Sequence, residues 1–367
     1  MGKRISYLMV LVCAFVMMLA SAQAGESYSY ITVDMVAAGS TQTTTTDLTN
    51  KSNYVLNTYY DMQGSKSHHI IPGLSYTLTY NPKTSTFITA YERFVPQGMC
   101  IAGNYILISA YDSAEICKSV IYVLNKSTNK LITTIVLPDK AHVGGLAYDT
   151  GNGYIWVCNE NAYVSGFSYK LLNNSVTGVN SSSSRRGVYL SSFEKEYKVK
   201  TQEADYCTYF DGKLWVGMFN SATVADIYAY EVNLSNSTLT AKHIMEAPAK
   251  TQGIAFYKTG SDVYLLISQS YGRTTDSQII LYKPSYSSPQ TVSGQSYTRI
   301  AKNNRLNDST FSPMTEAIVI SGTDVYILFE SGAYYYHEPT EAQEARGERT
   351  MPFDQYLIYS ITKFVNY

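Results

Sequence analysis

Apolar and polar positions alternate along most of the chain in short runs broken by Gly, Asn, Asp and Ser, the pattern of strands with one buried face joined by tight turns. The clearest instance is PQGMCIAGNYILISAYD, residues 96–112. Met99, Cys100 and Ile101 lead into a Gly-Asn turn and a second apolar run over 105–108, which predicts a hairpin. Four later stretches repeat this pattern: HVGGLAYDTGNGYIWVCNE from His142, EADYCTYFDGKLWVGMF from Glu203, TQGIAFYKTGSDVYLLISQSYG from Thr251 and TEAIVISGTDVYILFESG from Thr315. They align on Gly98, Gly145, Asp205, Gly253 and Ala317. Alternating third strands are predicted over 120–124, 227–232, 279–282 and 356–361, and a fourth follows in most units, as over 131–137.

Four short strands per unit, repeated at the period of a propeller blade, predict an all-β fold, a β-propeller of five or six four-stranded blades. A β-sandwich would not explain five recurrences with the same turn chemistry. The last unit ends one strand short, so the ring is expected to close with an N-terminal strand that covers its edge. Further strands are predicted over 30–36, 53–60, 76–80 and 87–93. The last two match the outer hairpin of a repeat, so 87–93 either closes five blades or belongs to a sixth. Two polar insertions stand out: 173–186 is expected to be a solvated loop, and 337–349 a surface segment with a short helical turn; either could serve as a lid.

Composition refines this picture. The 367 residues are 45% hydrophobic and only 16% charged, with a formal net charge of -1, which favours neither nucleic acid nor an anionic membrane surface as a partner. The 35 tyrosines raise strand propensity and supply amphipathic rings for surfaces and clefts. Lys3 and Arg4 precede an apolar run that ends at Ala22-Gln23-Ala24, so residues 1–24 read as a cleavable signal peptide. The expected organisation is this signal, an N-terminal segment over 25–95 with the strands that close the ring, and propeller repeats over 96–367. The mature chain is expected to be a secreted or periplasmic monomer without stable membrane insertion. Cys100 and Cys207 are expected as buried strand residues. Cys117, in a loop, is the expected disulfide partner, with Cys158 as its counterpart.

Residues 119–160, SVIYVLNKSTNKLITTIVLPDKAHVGGLAYDTGNGYIWVCNE, resemble the YVTN-type repeat of bacterial and archaeal propellers and, more broadly, the lactonase-like and senescence-marker-like propellers. The likeness covers about one and a half repeats. Those families include hydrolases, electron-transfer enzymes and surface proteins, so it implies a fold rather than one activity.

In a propeller the loops leading into the first strands and out of the second strands share one face, and here they are polar. Ligand contacts with a small molecule, glycan or peptide are expected from Gln97, Tyr111, Asp112, Asn159, Glu160, Gln252, Tyr271, Arg273 and Glu330. The plain alternative is that these groups only solvate a channel. Arg273, in the SYGR loop, offers a fork for a carboxylate, phosphate or hydroxyls, or else braces its loop through Asp276. His142 is the one histidine at a first-strand position, and with Glu203 and Glu316 it forms a candidate catalytic set for a lactonase-like or other hydrolase. Glu203, Asp205 and Glu316 are candidate ligands for Ca²⁺ or another divalent ion, and the resemblance implies acidic and amide first-strand ligands of this kind. No Gly-x-Ser-x-Gly, His-Glu-x-x-His or phosphate-loop motif is present.

Overall fold

Five antiparallel sheets stand in a ring in the computed structural model, which describes residues 27–37, 64–284, 290–292, 294–298 and 304–365. Blade I comprises Phe94–Ala102, Tyr105–Asp112, Val120–Asn125 and Leu131–Val136, from the innermost strand outward. Blade II comprises Leu146–Asp149, Tyr154–Asn159, Tyr163–Ser168 and Lys195–Lys198. Blade III comprises Tyr206–Phe210, Lys213–Gly217, Ala225–Asn233 and Thr238–Ala247. Blade IV comprises Thr251–Thr259, Asp262–Gln269, Ser277–Tyr282 and Arg305–Phe311. Blade V takes Thr315–Ser321, Asp324–Phe329 and Gln355–Ser360 from the C-terminal end of the chain, and its outer strand is Ser67–Ile70. The ring is thus a five-bladed β-propeller closed by an N-terminal strand, paired in register from Ser67↔Ile358 to Ile70↔Gln355.

The strand that closes the ring is not the one over 87–93. Tyr76–Asn81 and Thr86–Tyr91 form a separate two-stranded sheet packed on blade I, where Thr77 Oγ1 lies 2.6 Å from the Tyr122 hydroxyl and Thr79 Oγ1 donates to the Lys118 carbonyl. Their likeness to a repeat hairpin is local, because their edges pair with no blade. Of the strand predicted over 30–36, Tyr28–Thr32 is extended and lies on Arg185–Leu190, which itself runs parallel to Leu131–Val136. The strand predicted over 53–60 and the signal peptide over 1–24 lie outside the described residues.

The 173–186 segment is not a loop. Helix α1, Tyr169–Asn180, starts at Ser168, whose Oγ accepts from the Leu171 amide, and it buries Leu171, Leu172, Val176 and Val179 against blade I. Its Asn, Ser and Gly residues mask an apolar stripe of near-helical spacing. All four cysteines of the described chain are buried free thiols, so the expected Cys117–Cys158 bridge is absent. Cys117 instead sits beside Arg93, whose Nη2 donates to its sulfur at 3.1 Å, whereas Cys158 lies against Cys207 of the next blade.

The repeated first-strand glycines have a steric cause. Inner strands of neighbouring blades approach closely around the axis, and the last packs back on the first. A Cβ at Gly145 would lie 2.4 Å from the Cys207 amide nitrogen, and one at Gly98 would lie 2.9 Å from the Gly145 carbonyl carbon. Hydroxyls of the second strands tie the blades at the same level. Ser109 Oγ donates to the Val143 carbonyl from blade I to the lead-in of blade II, and Ser268 meets Thr315 from blade IV to blade V. The channel carries a cavity at each end. At the C-terminal ends of the inner strands, a cavity of about 340 Å³ is lined by Ile101, Tyr148, Phe210, Phe256 and Ile320 among others, with Phe210 and Phe256 stacked at 4.5 Å.

Candidate functional site

The other mouth holds a polar cavity of about 670 Å³ to which all five blades contribute. Backbone irregularity aims several of its side chains. Gln97, Gln252 and Glu316 each fall at a β-bulge in the inner strand of blades I, IV and V. A bulge adds a residue without a partner and turns its side chain out of the regular alternation, here toward the axis. The residues just ahead of three inner strands, Val143, Lys250 and Met314, have left-handed backbone with φ of 54°, 66° and 69°. For a β-branched residue such as Val143 this conformation carries strain, which the surrounding packing must hold. Ser270 and Ser277 of blade IV fix the Met314 turn by accepting from the Met314 and Thr315 amides.

Blade I contributes Gln97, which is only 3% exposed. Its Nε2 donates to Glu330 Oε2 at 2.8 Å and to the Pro96 carbonyl at 3.1 Å. Blade V contributes a buried carboxyl pair, Glu316 and Glu330, hydrogen-bonded to one another. Burial, reinforced by the charge of Glu330, pushes the Glu316 carboxyl well above its ordinary range. Glu330 also accepts from Gln97 and from the Tyr336 hydroxyl and feels the positive charge of Arg273. Burial raises the Glu330 carboxyl as well, and these contacts oppose that rise, so within the pair Glu316 holds its proton the more tightly.

Tyr336 links this pair to its surroundings. Its hydroxyl is pushed up by burial and by Glu330, and it is hydrogen-bonded to Tyr111. The Tyr111 ring stacks on His142 at 4.2 Å, and burial pushes its hydroxyl up to about 12. His142 lines the channel with one side open, but protein crowds its other sides, and desolvation pushes its imidazole down to about 4, so it is neutral near pH 7. Blade III contributes Glu203, Asp205 and Phe219. Burial raises the Asp205 carboxyl to about 6, against the pull of the Phe219 amide, which donates to Oδ2 at 2.6 Å; Glu203 adds to the rise.

Of the residues expected from the sequence, Gln97, His142, Asn159, Glu160, Glu203, Asp205, Gln252, Tyr271, Arg273, Glu316 and Glu330 all line this cavity. Asp112 does not. Its buried carboxylate pairs with Arg93 and accepts from the Ala114, Ile116 and Cys117 amides, which makes it the brace of its own loop. Tyr111 stands one layer behind the wall. The amide of Asn159 is also committed, its Nδ2 donating to Asp139 and Ser165 and its Oδ1 accepting from the Glu160 amide. Glu316 is hydrogen-bonded to Glu330 rather than to His142, so the acid/base pair of the cavity differs from the His142, Glu203 and Glu316 set expected from the sequence. Among the described residues, no three His, Cys, Asp or Glu side chains stand close enough together to hold a metal ion, the Glu203, Asp205 and Glu316 set included.

Arg273 braces the insertion of blade V rather than pairing with Asp276. Its Nη1 donates to the carbonyls of Tyr335 and Glu338, and its guanidinium lies 4.9 Å from the ring centres of Tyr335 and Tyr336. These residues belong to the insertion between the second and third strands of blade V, which also carries helix α2, Glu341–Ala345, with a Thr340 and Gln343 capping box. Thr274 Oγ1 donates to Glu348 and accepts from Gln343 Nε2, a second attachment to the loop after Arg273. Sequence reasoning missed Tyr336, Phe219 and Met314. The Tyr334-Tyr335-Tyr336 run directly after the Glu330 strand was the available signal for the first.

No protein-family model matches the sequence, and no curated protein matches it. Among solved structures, a chain from the "Crystal Structure of Mitotic Checkpoint Complex" overlays with a TM-score of 0.39 at 7% identity, covering 84% of this chain and 94% of that one. The five-bladed assignment rests on the ring of sheets itself.

Proposed function

We propose that this chain is an exported propeller that binds a small polar molecule, glycan or peptide end at the channel mouth. One observation carries the reading: five blades place polar side chains around a single cavity of about 670 Å³, several of them turned there by bulges. Bulges and left-handed turns at one end of a ring cost stability and are retained where they aim side chains. The volume is that of a small-molecule site. The experiment is native mass spectrometry of the protein after exposure to a metabolite extract and gel filtration. The expected result is a retained small molecule that is absent from Ala204→Trp, in which an indole fills the cavity. Equal retention by both proteins overturns the reading.

A hydrolytic reading has one specific support, the Glu316 and Glu330 pair sharing a proton beside a neutral His142. Its test is hydrolysis of a panel of lactones and activated esters. Turnover that falls at least a hundredfold in Glu316→Gln supports it, and turnover indifferent to that change removes it.

A further inference from the structure

The mouth of the channel is rich in carboxyl groups. Glu160, Glu203, Asp205, Glu316 and Glu330 bring five carboxyl groups to it, against the single guanidinium of Arg273. That guanidinium is spent on the blade V insertion, on the Tyr335 and Glu338 carbonyls and on the faces of two tyrosine rings. His142 is uncharged near pH 7. An independent observation comes from Gln97. Its single amide nitrogen makes both hydrogen bonds of the group, to Pro96 and Glu330, which fixes its orientation, because the Pro96 carbonyl only accepts. The amide oxygen is therefore left on the cavity wall of a residue 3% exposed, and among the described residues nothing donates to it. That oxygen is not among the buried polar atoms without a partner, so it is open to the cavity, where a ligand that brings a donor can meet it.

Aromatic faces stand beside these acceptors. Phe219 and Tyr271 lie with ring centres 6.0 Å apart at the rim, and Tyr271 is 54% exposed. The Lys250 ammonium of the protein already sits 5.5 Å from the Tyr271 ring centre. Ring faces next to carboxylates favour a positively charged nitrogen, through the ring quadrupole and through charge.

We propose that the ligand of this cavity carries an ammonium group, which donates to the Gln97 oxygen and to the Glu330 and Glu316 carboxyls while its carbon skeleton lies toward Phe219 and Tyr271. This inference rests on the binding reading above and narrows it to organic amines. It also assigns Gln97 a specificity role: its oxygen selects for a donor, and its nitrogen holds the carboxyl pair in place.

Two matched series test it: benzylamine, benzyl alcohol and benzoate; and glucosamine, glucose and glucuronate. Binding is followed through the methyl resonance of Met314, which lines the cavity, in protein labelled at its methionine methyl groups. The amine of at least one series is expected to move this resonance saturably, with millimolar affinity typical of so small a ligand and at least tenfold tighter than its alcohol or sugar and its acid. Glu330→Gln should weaken amine binding at least tenfold. Glu203→Gln, at the exposed rim, should weaken it about twofold to threefold and serves where Glu330→Gln does not fold. Neutral or anionic members that bind as well as the amines overturn the ammonium assignment and leave the binding reading standing. No response from any member at about 50 mM, well beyond weak fragment affinity, counts against both.

Discussion

At the residue scale, the unusual feature is how many ionisable groups are held away from their ordinary state. Asp205 moves from 3.8 to about 6 because burial opposes its charge and Glu203 adds repulsion, and the Phe219 amide offsets only part of this. A carboxyl raised in the folded state contributes stability that is fully present below its unfolded value and is lost as pH rises through its folded value. For Asp205 that window runs from about pH 4 to about pH 6, and the difference corresponds to about 3 kcal/mol. Glu316 acts in the same direction at higher pH, and Asp354 is likewise raised to about 6. Thermal unfolding should therefore show stability declining from pH 4 to pH 7, and Asp205→Asn should flatten this decline. A variant profile parallel to that of the parent would contradict the assignment.

The same scale shows what the sequence could disclose. Gln97, His142, Glu203, Gln252 and Glu316 were legible because they occupy one position relative to each first strand, and repetition supplies a comparison within one chain. Asp112 was misread. A carboxylate at the end of a second strand has the same sequence signature whether it faces the channel or, as here, turns back onto the Ala114 to Cys117 amides. The Tyr334-Tyr335-Tyr336 run was visible in the sequence, but not that its last ring reaches Glu330, since it comes from an insertion that matches no repeat.

At the scale of elements, the blade V insertion and the closing strand make separate predictions. The blade V insertion is held over the mouth by Arg273 and Tyr336, with Thr274 as a second anchor. Arg273→Ala removes two charge-assisted hydrogen bonds and two ring contacts. It should raise amide exchange across residues 335–349 at least tenfold while leaving blades I to III unchanged, since exchange reports local opening. Unchanged exchange in the insertion would show that the clamp lies elsewhere. The closing strand Ser67–Ile70 covers the edge of Gln355–Ser360. Deleting residues up to Ile70 exposes that edge, and light scattering should reveal self-association that the full chain lacks. A truncated protein that stays monodisperse would contradict this account of closure. The register of this strand was not legible, because several N-terminal stretches carry the same alternation of Thr, Ser and Tyr, and only pairing decides among them.

At the scale of the whole molecule, the ring is a device for concentrating side chains from distant parts of the chain. Gln97 and Glu330 are separated by 233 positions yet share a hydrogen bond of 2.8 Å. This convergence depends on inner strands packed backbone to backbone, as at Gly145. Gly145→Val forces a side chain into the Cys207 backbone and should destabilise the protein by at least about 3 kcal/mol, the upper part of the range for overpacking, because backbone cannot yield as side chains do. Denaturant unfolding measures this, and a loss below about 1 kcal/mol would mean that the blades are free to separate. The five repeats and the short last unit narrowed the blade number to five or six, and the separate pairing of Tyr76–Asn81 with Thr86–Tyr91 decides for five. The make-up of the two mouths was not legible, because only assembly brings the same end of each inner strand to one side.

The central claim is that the mouth containing Gln97, Glu316 and Glu330 is a ligand site. Crystallography of the protein after exposure to the metabolite extract tests it most directly. The account predicts ordered ligand density inside the ring of Gln97, Glu330, Asp205 and Tyr271, with a donor atom within hydrogen-bond distance of the Gln97 oxygen. Density for a bound molecule at the opposite mouth or between blades, with only water in this cavity, would contradict it.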